Sequence, residues 1–270
     1  MLSKRGGTML MVGVAVVVGI TAFCLHPIPQ PATYHNFADK RGFLGIPNFG
    51  DVASNLAFAA IGIWGLAFLL GSHRERPQLC LVDYRERFPY LFVFAGLLLT
   101  ALGSAYYHLA PDNTRLVWDR LPMTIVFAGL VSAVICERIN VKAGLILIPP
   151  LLLVGIASVL QWHYSELRGH GDLRFYAAVQ LYSALVLILA LLLRSKYSRR
   201  LDFGFVAAFY VLAKLFETAD RPIFESVHAV SGHTLKHLAA ATAGYWILRM
   251  LQLRRPAHES QRCVAASIAQ

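Results

Sequence analysis

Long apolar runs constrain the fold of this chain more than any other feature. A helix that crosses about 30 Å of hydrocarbon needs roughly 20 apolar residues, and about eight segments approach that length. They are 9–25, 51–70, 89–109, 121–136, 144–161, 173–193, 203–218 and 233–251. A bilayer offers no water to backbone groups, so spanning segments are helices or closed barrels, and uninterrupted runs of this length read as helices. The predicted fold class is all-α, a polytopic transmembrane helical bundle. Composition agrees: with 57% hydrophobic and 15% charged residues, the 270-residue chain has too little charge to cover a soluble surface. Two segments are less regular. Lys214 and Glu217 interrupt the seventh, and Pro149-Pro150 is expected to kink the fifth or set its start.

The net charge of +10 invites a nucleic-acid partner, but the basic residues sit in short loops between apolar runs, where they set topology instead. With the N-terminus inside, one side collects most of them, including Lys4, Arg5, Arg74, Arg76, Arg138 and Arg255. The other side collects Lys40, Arg41, Arg115, Arg120, Arg168, Arg174 and Arg221. This asymmetry predicts both termini in the cytoplasm and an even number of spans. The first run follows Lys4-Arg5 without a small-x-small cleavage site and reads as an uncleaved anchor. Cys24, Cys80, Cys136 and Cys263 show no C-x-x-C spacing, so neither a disulfide framework nor a thiolate metal site is indicated.

The polar residues that remain collect at one end. His233 and His237 open the last span, and an i, i+4 pair lies on one helical face about 6 Å apart along the axis, close enough to grip one metal ion. His108 ends the third span with Ser104 one turn behind it, and Asp119 lies at the start of the fourth. The alternating topology puts these three ends on the non-cytoplasmic side. Three imidazoles plus a water make the usual open catalytic zinc arrangement, so His108, His233 and His237 are the candidate ligands. Zinc lowers the pKa of its water to about 7 and polarises a carbonyl. Asp119 is then placed to take the water's proton and pass it to a leaving amine, and Ser104 to hydrogen-bond the water or the oxyanion. Each residue has a simpler reading: His108 as an interfacial hydrogen-bonder, Asp119 as an N-cap, Ser104 as a helix-packing residue.

The order Ser104-x-x-x-His108, Asp119 followed by Pro122-Met123, and a late His233-x-x-x-His237 resembles the alkaline ceramidase family. That family belongs to a wider group of seven-helix membrane hydrolases, with adiponectin-receptor-like proteins and lipid-remodelling factors for GPI anchors. The resemblance begins near Asn48-Phe49-Gly50-Asp51 and runs to about Met250. It implies a bacterial-type member: an N-terminal transmembrane anchor over 1–30, a seven-helix core over 31–252, and a cytoplasmic tail over 253–270 without fixed structure. It also implies zinc on His108, His233 and His237, with Ser104 and Asp119 as the catalytic residues beside it. Animal members carry an acidic calcium-binding stretch before the first core helix, with a glutamate where this chain has Asn48. Here Asp39, Asn48 and Asp51 are the candidate calcium ligands, with fewer charges than a hard-cation site wants. The alternative is that Asp51 and Ser54 begin the helix and that Asp39 lies in a solvated loop with Lys40 and Arg41.

A second polar group, Lys214, Glu217 and Asp220, is expected near the outer end of the seventh span. Lys214 and Glu217 are spaced to form a structural ion pair, with a head-group contact as the alternative. His163, His170 and His228 read as loop residues, and Tyr106, Tyr107 and Trp118 as an aromatic flank of the mouth. The implied activity is hydrolysis of the amide bond of a ceramide-like membrane lipid to a sphingoid base and a fatty acid. Two alternatives stay open: an ester-cleaving or lipid-remodelling hydrolase with the same site, and a heptahelical sensor or transporter with structural zinc.

Overall fold

In the computed structural model, residues 1–71 and 80–257 are described; Arg74, Arg76, Cys263 and most of the 253–270 tail fall outside them. The described residues form an all-helical protein. Its α-helices are α1 (Lys4–Cys24), α2 (Phe49–Ala53), α3 (Leu56–Leu70), α4 (Arg87–Leu109), α5 (Asn113–Arg138), α6 (Val141–Leu167), α7 (Arg174–Leu189), α8 (Asp202–Thr218), α9 (Asp220–Val227) and α10 (Gly232–Leu253). Among the described residues, six helical stretches are long and apolar enough to cross a membrane: α1, α2 with α3, α4, α5, α6 and α7. They mark the chain as a membrane protein.

Packing follows a simple plan. Helices α3, α4, α5, α7, α8 and α10 each contact the next and close into a ring, while α6 lies outside α5 and α7, and α1 rests on α7. Position in this plan sets burial. Most of α5 is buried, whereas α1 turns Val12, Val16, Val17, Ile20 and Phe23 outward, as a lipid-facing helix does.

Local chemistry explains where the helices start and break. Asp112, not Asp119, caps α5, its carboxylate accepting the Arg115 N–H at 2.7 Å. The helix therefore begins well before residue 121, and Asp119 lies inside it, buried. Pro149 and Pro150 neither start nor end α6, which runs through both; they sit on its exposed outer face, where lost backbone donors are not opposite the core. The second span is broken between α2 and α3. There Ser54 Oγ and Asn55 Nδ2 both donate to the Asp51 carbonyl, at 3.1 and 2.7 Å, competing with the helical ladder.

Candidate metal centre

Two helix ends meet at one end of the ring. His108 lies in the last turn of α4, His233 and His237 in the first turns of α10, and all three are buried. Each offers a ligand nitrogen, and these nitrogens lie within 4.8 Å of one another. Nε2 of His108 and Nε2 of His233 are 3.2 Å apart, against an edge of about 3.3 Å for two nitrogens on a tetrahedral zinc at 2.0–2.1 Å. The expected grouping of the three histidines is thus present.

The surroundings fix the rings. Ser54 Oγ, 2.8 Å from His237 Nδ1, donates its own proton to the Asp51 carbonyl, so it accepts from Nδ1–H and leaves Nε2 as the ligand atom of His237. A hydrogen bond to the far nitrogen is what orients a metal-binding imidazole. The ring of Phe37 packs against His108 and His233, with centroids at 4.7 and 4.4 Å. Asn48 Nδ2 donates to the His108 carbonyl at 2.8 Å, and Asp220 Oδ1 accepts the His233 N–H at 2.8 Å. Ser231 caps α10 by accepting the Thr234 N–H at 3.0 Å.

Two glycines permit this approach. A Cβ on Gly103 would lie 1.9 Å from the Trp118 carbonyl oxygen, so only glycine lets α5 come close enough to put Asp119 beside Ser104. A Cβ on Gly232 would lie 2.3 Å from the Phe216 carbonyl oxygen, where α10 starts against α8.

A metal ion fits the three nitrogens. The donor set is three imidazoles, with no carboxylate in the cluster, and the ligand atoms face each other closely enough to need a shared cation or proton. His108 Nδ1, on the far side of its ring, is buried and has no protein partner.

The other candidate residues divide into those that reach this centre and those that do not. Ser104 and Asp119 are buried neighbours that line one cavity of about 400 Å³ together with His237. The cavity continues between the ring helices past Leu97, Leu130, Leu187 and Ile247. Lys214 and Glu217 form the expected ion pair. Lys236, which the sequence reading passed over, joins them: its Nζ lies 2.8 Å from Glu217 Oε1 and 3.5 Å from His233 Nε2. Asp220 stays apart from that pair and instead holds the Ala38 N–H at 2.9 Å as well as that of His233.

The three candidate calcium ligands are engaged in part elsewhere, although Asp51 Oδ2 is buried without a protein partner. Asp39 is buried rather than solvated and binds Arg41 through both oxygens, at 2.8 and 2.7 Å. The guanidinium of Arg41 holds the Asp39 carboxyl below its ordinary range. Asn48 turns its amide nitrogen to the His108 carbonyl, and Asp51 Oδ1 accepts from Ser231 Oγ and Thr234 Oγ1 at 3.2 and 2.8 Å. Among the described residues, the histidine trio is the one cluster of three or more His, Cys, Asp or Glu spaced to share an ion.

Three further expectations change. His163 lies inside α6, not in a loop, whereas His170 and His228 are exposed as expected. Tyr107 is buried and bonded to His35 Nδ1 at 2.8 Å, so only Tyr106 and Trp118 of the three aromatics are exposed. Arg120 is no loop residue either; it is buried in α5. Ser54, Phe37 and Lys236 are the contributors that sequence reasoning missed. Only Lys236, three residues after His233, carried a spacing signal. No family model and no curated protein matches this chain.

Proposed function

We propose that this protein is a zinc-dependent membrane hydrolase of the alkaline ceramidase type, cleaving the amide bond of ceramide-like lipids to a sphingoid base and a fatty acid. The observation that carries the reading is the buried trio His108, His233 and His237, of which His237 lines a largely apolar cavity together with Asp119 and Ser104. In this reading α8 and α10 also cross the membrane, giving a seven-helix core with α1 as an added N-terminal span. Both termini are cytoplasmic and the site faces the other side, as the basic loops indicate.

Zinc held by the three imidazoles supplies a Lewis acid for the scissile carbonyl and brings the pKa of water down to about 7. The chain's own groups do the rest. Asp119 takes a proton from the attacking water and returns one to the amine nitrogen as the C–N bond breaks, which balances the hydrolysis. Ser104 orients the Asp119 carboxylate. The apolar wall of Leu97, Leu130, Leu187 and Ile247 receives an acyl chain and keeps water from the reacting carbonyl.

The test uses the purified protein in detergent, with metal content measured by elemental analysis and turnover on a fluorescent ceramide. Wild type is expected to hold zinc and release fatty acid. Asp119→Ala is expected to keep the metal and lose turnover. An Asp119→Ala protein of full activity, or an active metal-free wild type, overturns the mechanism. A zinc-loaded wild type inactive on ceramide but active on ester lipids replaces the amide by an ester.

A further inference from the structure

Arg120 lines the cavity, and the proposed chemistry leaves it without a task. Its guanidinium is stacked among three aromatic rings, 4.1 Å from the centroid of Trp162, 5.0 Å from Tyr176 and 5.4 Å from Tyr34. Nη2 donates to the neutral Gln30 Oε1 at 2.6 Å. Nη1 is shielded from solvent and has no protein partner. The residue is 4% exposed, and no carboxylate of the described residues lies within ion-pair distance of it, although the buried guanidinium of Arg254 has Glu137. Asp119, the preceding residue, interacts with the guanidinium only through space, and Glu166 is engaged by the Gln30 N–H and Trp162 Nε1, at 3.1 and 3.2 Å.

A buried cation calls for an anion, and aromatic faces meet only part of that demand. Arg120 lines the same cavity as Asp119, Ser104 and His237. Its charge also acts on the Asp119 carboxylate, so an anion held by the guanidinium sits in the same cavity as the reacting groups. The cavity therefore combines an apolar run, a hydrolytic cluster and a fixed, unpaired cationic donor.

We propose that Arg120 is a head-group anchor, and that this site favours, over uncharged ceramides, lipid amides whose amine half carries an anionic group, N-acyl amino acids being the simplest members of the class. This rests on the amide hydrolase reading and narrows it. The carboxylate of the amine half accepts from Nη1, Tyr34 and Gln30 border it, and the acyl chain runs between the ring helices. A charge-assisted hydrogen bond in a site closed to water favours such a lipid about 10- to 100-fold over an uncharged one.

The experiment compares N-palmitoylglycine with N-palmitoylethanolamine, which has the same chain and amide but no charge, and adds palmitate as a third ligand. Binding to the full chain in detergent micelles is read by ligand-induced thermal shift at neutral pH, and fatty acid release is scored separately. Wild type is expected to bind N-palmitoylglycine about 10- to 100-fold more tightly than the ethanolamide. Arg120→Gln is expected to bring the two amides level, and Arg120→Lys to restore part of the difference. Equal binding of the two amides by wild type overturns the proposal without any variant, so a poorly folding Arg120→Gln does not protect it. A preference that survives in Arg120→Gln also overturns it. So does a loss of palmitate binding as large as that of N-palmitoylglycine, which puts the guanidinium at the acyl carboxyl. A preference for the charged amide with neither amide cleaved supports the anchor and sinks the hydrolase, while cleavage of both with equal binding does the reverse.

Discussion

The two ends of the helical ring both bury charge and histidine or arginine, yet they treat it differently. At the far end, about 27 Å along α5 from Asp119, Glu137 pairs with Arg254 and accepts from the Tyr90 hydroxyl. Glu86 accepts from Tyr197 and Lys196, at 2.5 and 3.2 Å, and Arg138 Nη2 donates to the Arg200 carbonyl at 3.1 Å. Each acid there has a base, and rings of Tyr90 and Tyr197 close over Arg254, while Arg138 and Arg254 keep buried nitrogens without a protein partner, as Arg120 does. At the histidine end three imidazoles face one another, and His237, Asp119 and Arg120 line a cavity. Acids paired with bases hold helices together at the far end; imidazoles that converge without an acid among them leave room for an ion.

The largest expected effects separate the two ends most sharply. His233→Ala or His108→Ala is expected to abolish both metal retention and lipid cleavage while lowering the thermal midpoint of the metal-free protein less than Glu137→Ala does, because a packed ring is lost but no charge is stranded. Glu137→Ala is expected to do the opposite. Removing one partner of a buried pair costs about 3–5 kcal/mol, since the other charge is stranded. Metal content per folded molecule is expected to stay at the wild-type level. A Glu137→Leu, Arg254→Met double variant is expected to recover most of the lost stability, as an apolar pair of similar volume can replace a buried salt bridge. If the histidine variants unfold and the Glu137 variant loses metal, the division of labour between the two ends is wrong.

Much of the histidine end was legible in the sequence, because the groups that belong there are rare in apolar spans and so stand out. His108, Asp119, His233 and His237 each lie near the end of an apolar run, and alternating spans bring those ends together. The periods and lengths of the runs likewise placed the helices. What the sequence hid depends on contacts between distant segments. Ser54 is an ordinary serine until the break between α2 and α3 puts its hydroxyl on His237. Asp220 looked like a third member of the Lys214 and Glu217 cluster, but the turn into α9 rotates it onto the His233 N–H. Pro149-Pro150 does not set the start of α6, which begins at Val141 behind its own cap, Asn140. Arg120 was hidden by its neighbours, since the aromatic cage that buries it comes from three segments far apart in the chain.

Ser54 gives the next effect in size. It holds His237 in the tautomer that presents Nε2, so Ser54→Ala is expected to lower metal affinity about 10- to 100-fold, the usual loss when an outer partner of a ligating imidazole is removed. Competition against a metal-sensitive dye reads this directly. Stability without metal is expected to change little. An unaltered affinity means that the ring is held by packing against Phe58, whose centroid lies 5.9 Å from it, and the orienting role of the hydroxyl is lost.

The smallest effect concerns how the histidine end is covered. Phe37, lying on His108 and His233, is carried by the segment that Asp39 and Arg41 tie down: Arg41 also donates to the His228 and Ala229 carbonyls, both at 2.8 Å, just before the Ser231 cap. Arg41 holds Asp39 below its ordinary carboxyl value of 3.8, so the folded state favours the ionised form. The contribution to stability is therefore complete above about pH 4 and disappears as the pH falls through the lowered value. Arg41 is half-exposed, with 54% of its side chain accessible, so water screens the pair and the effect is small. Asp39→Asn is expected to lower the thermal midpoint slightly at neutral pH and to converge with wild type as the solution is acidified below about pH 4. Because the loop carries Phe37, the same variant is expected to speed metal loss to a chelator at neutral pH. A stability gap that widens on acidification, or unchanged metal release, would mean that Phe37 is held over the imidazoles by its ring contacts alone and that the ion pair merely decorates the loop.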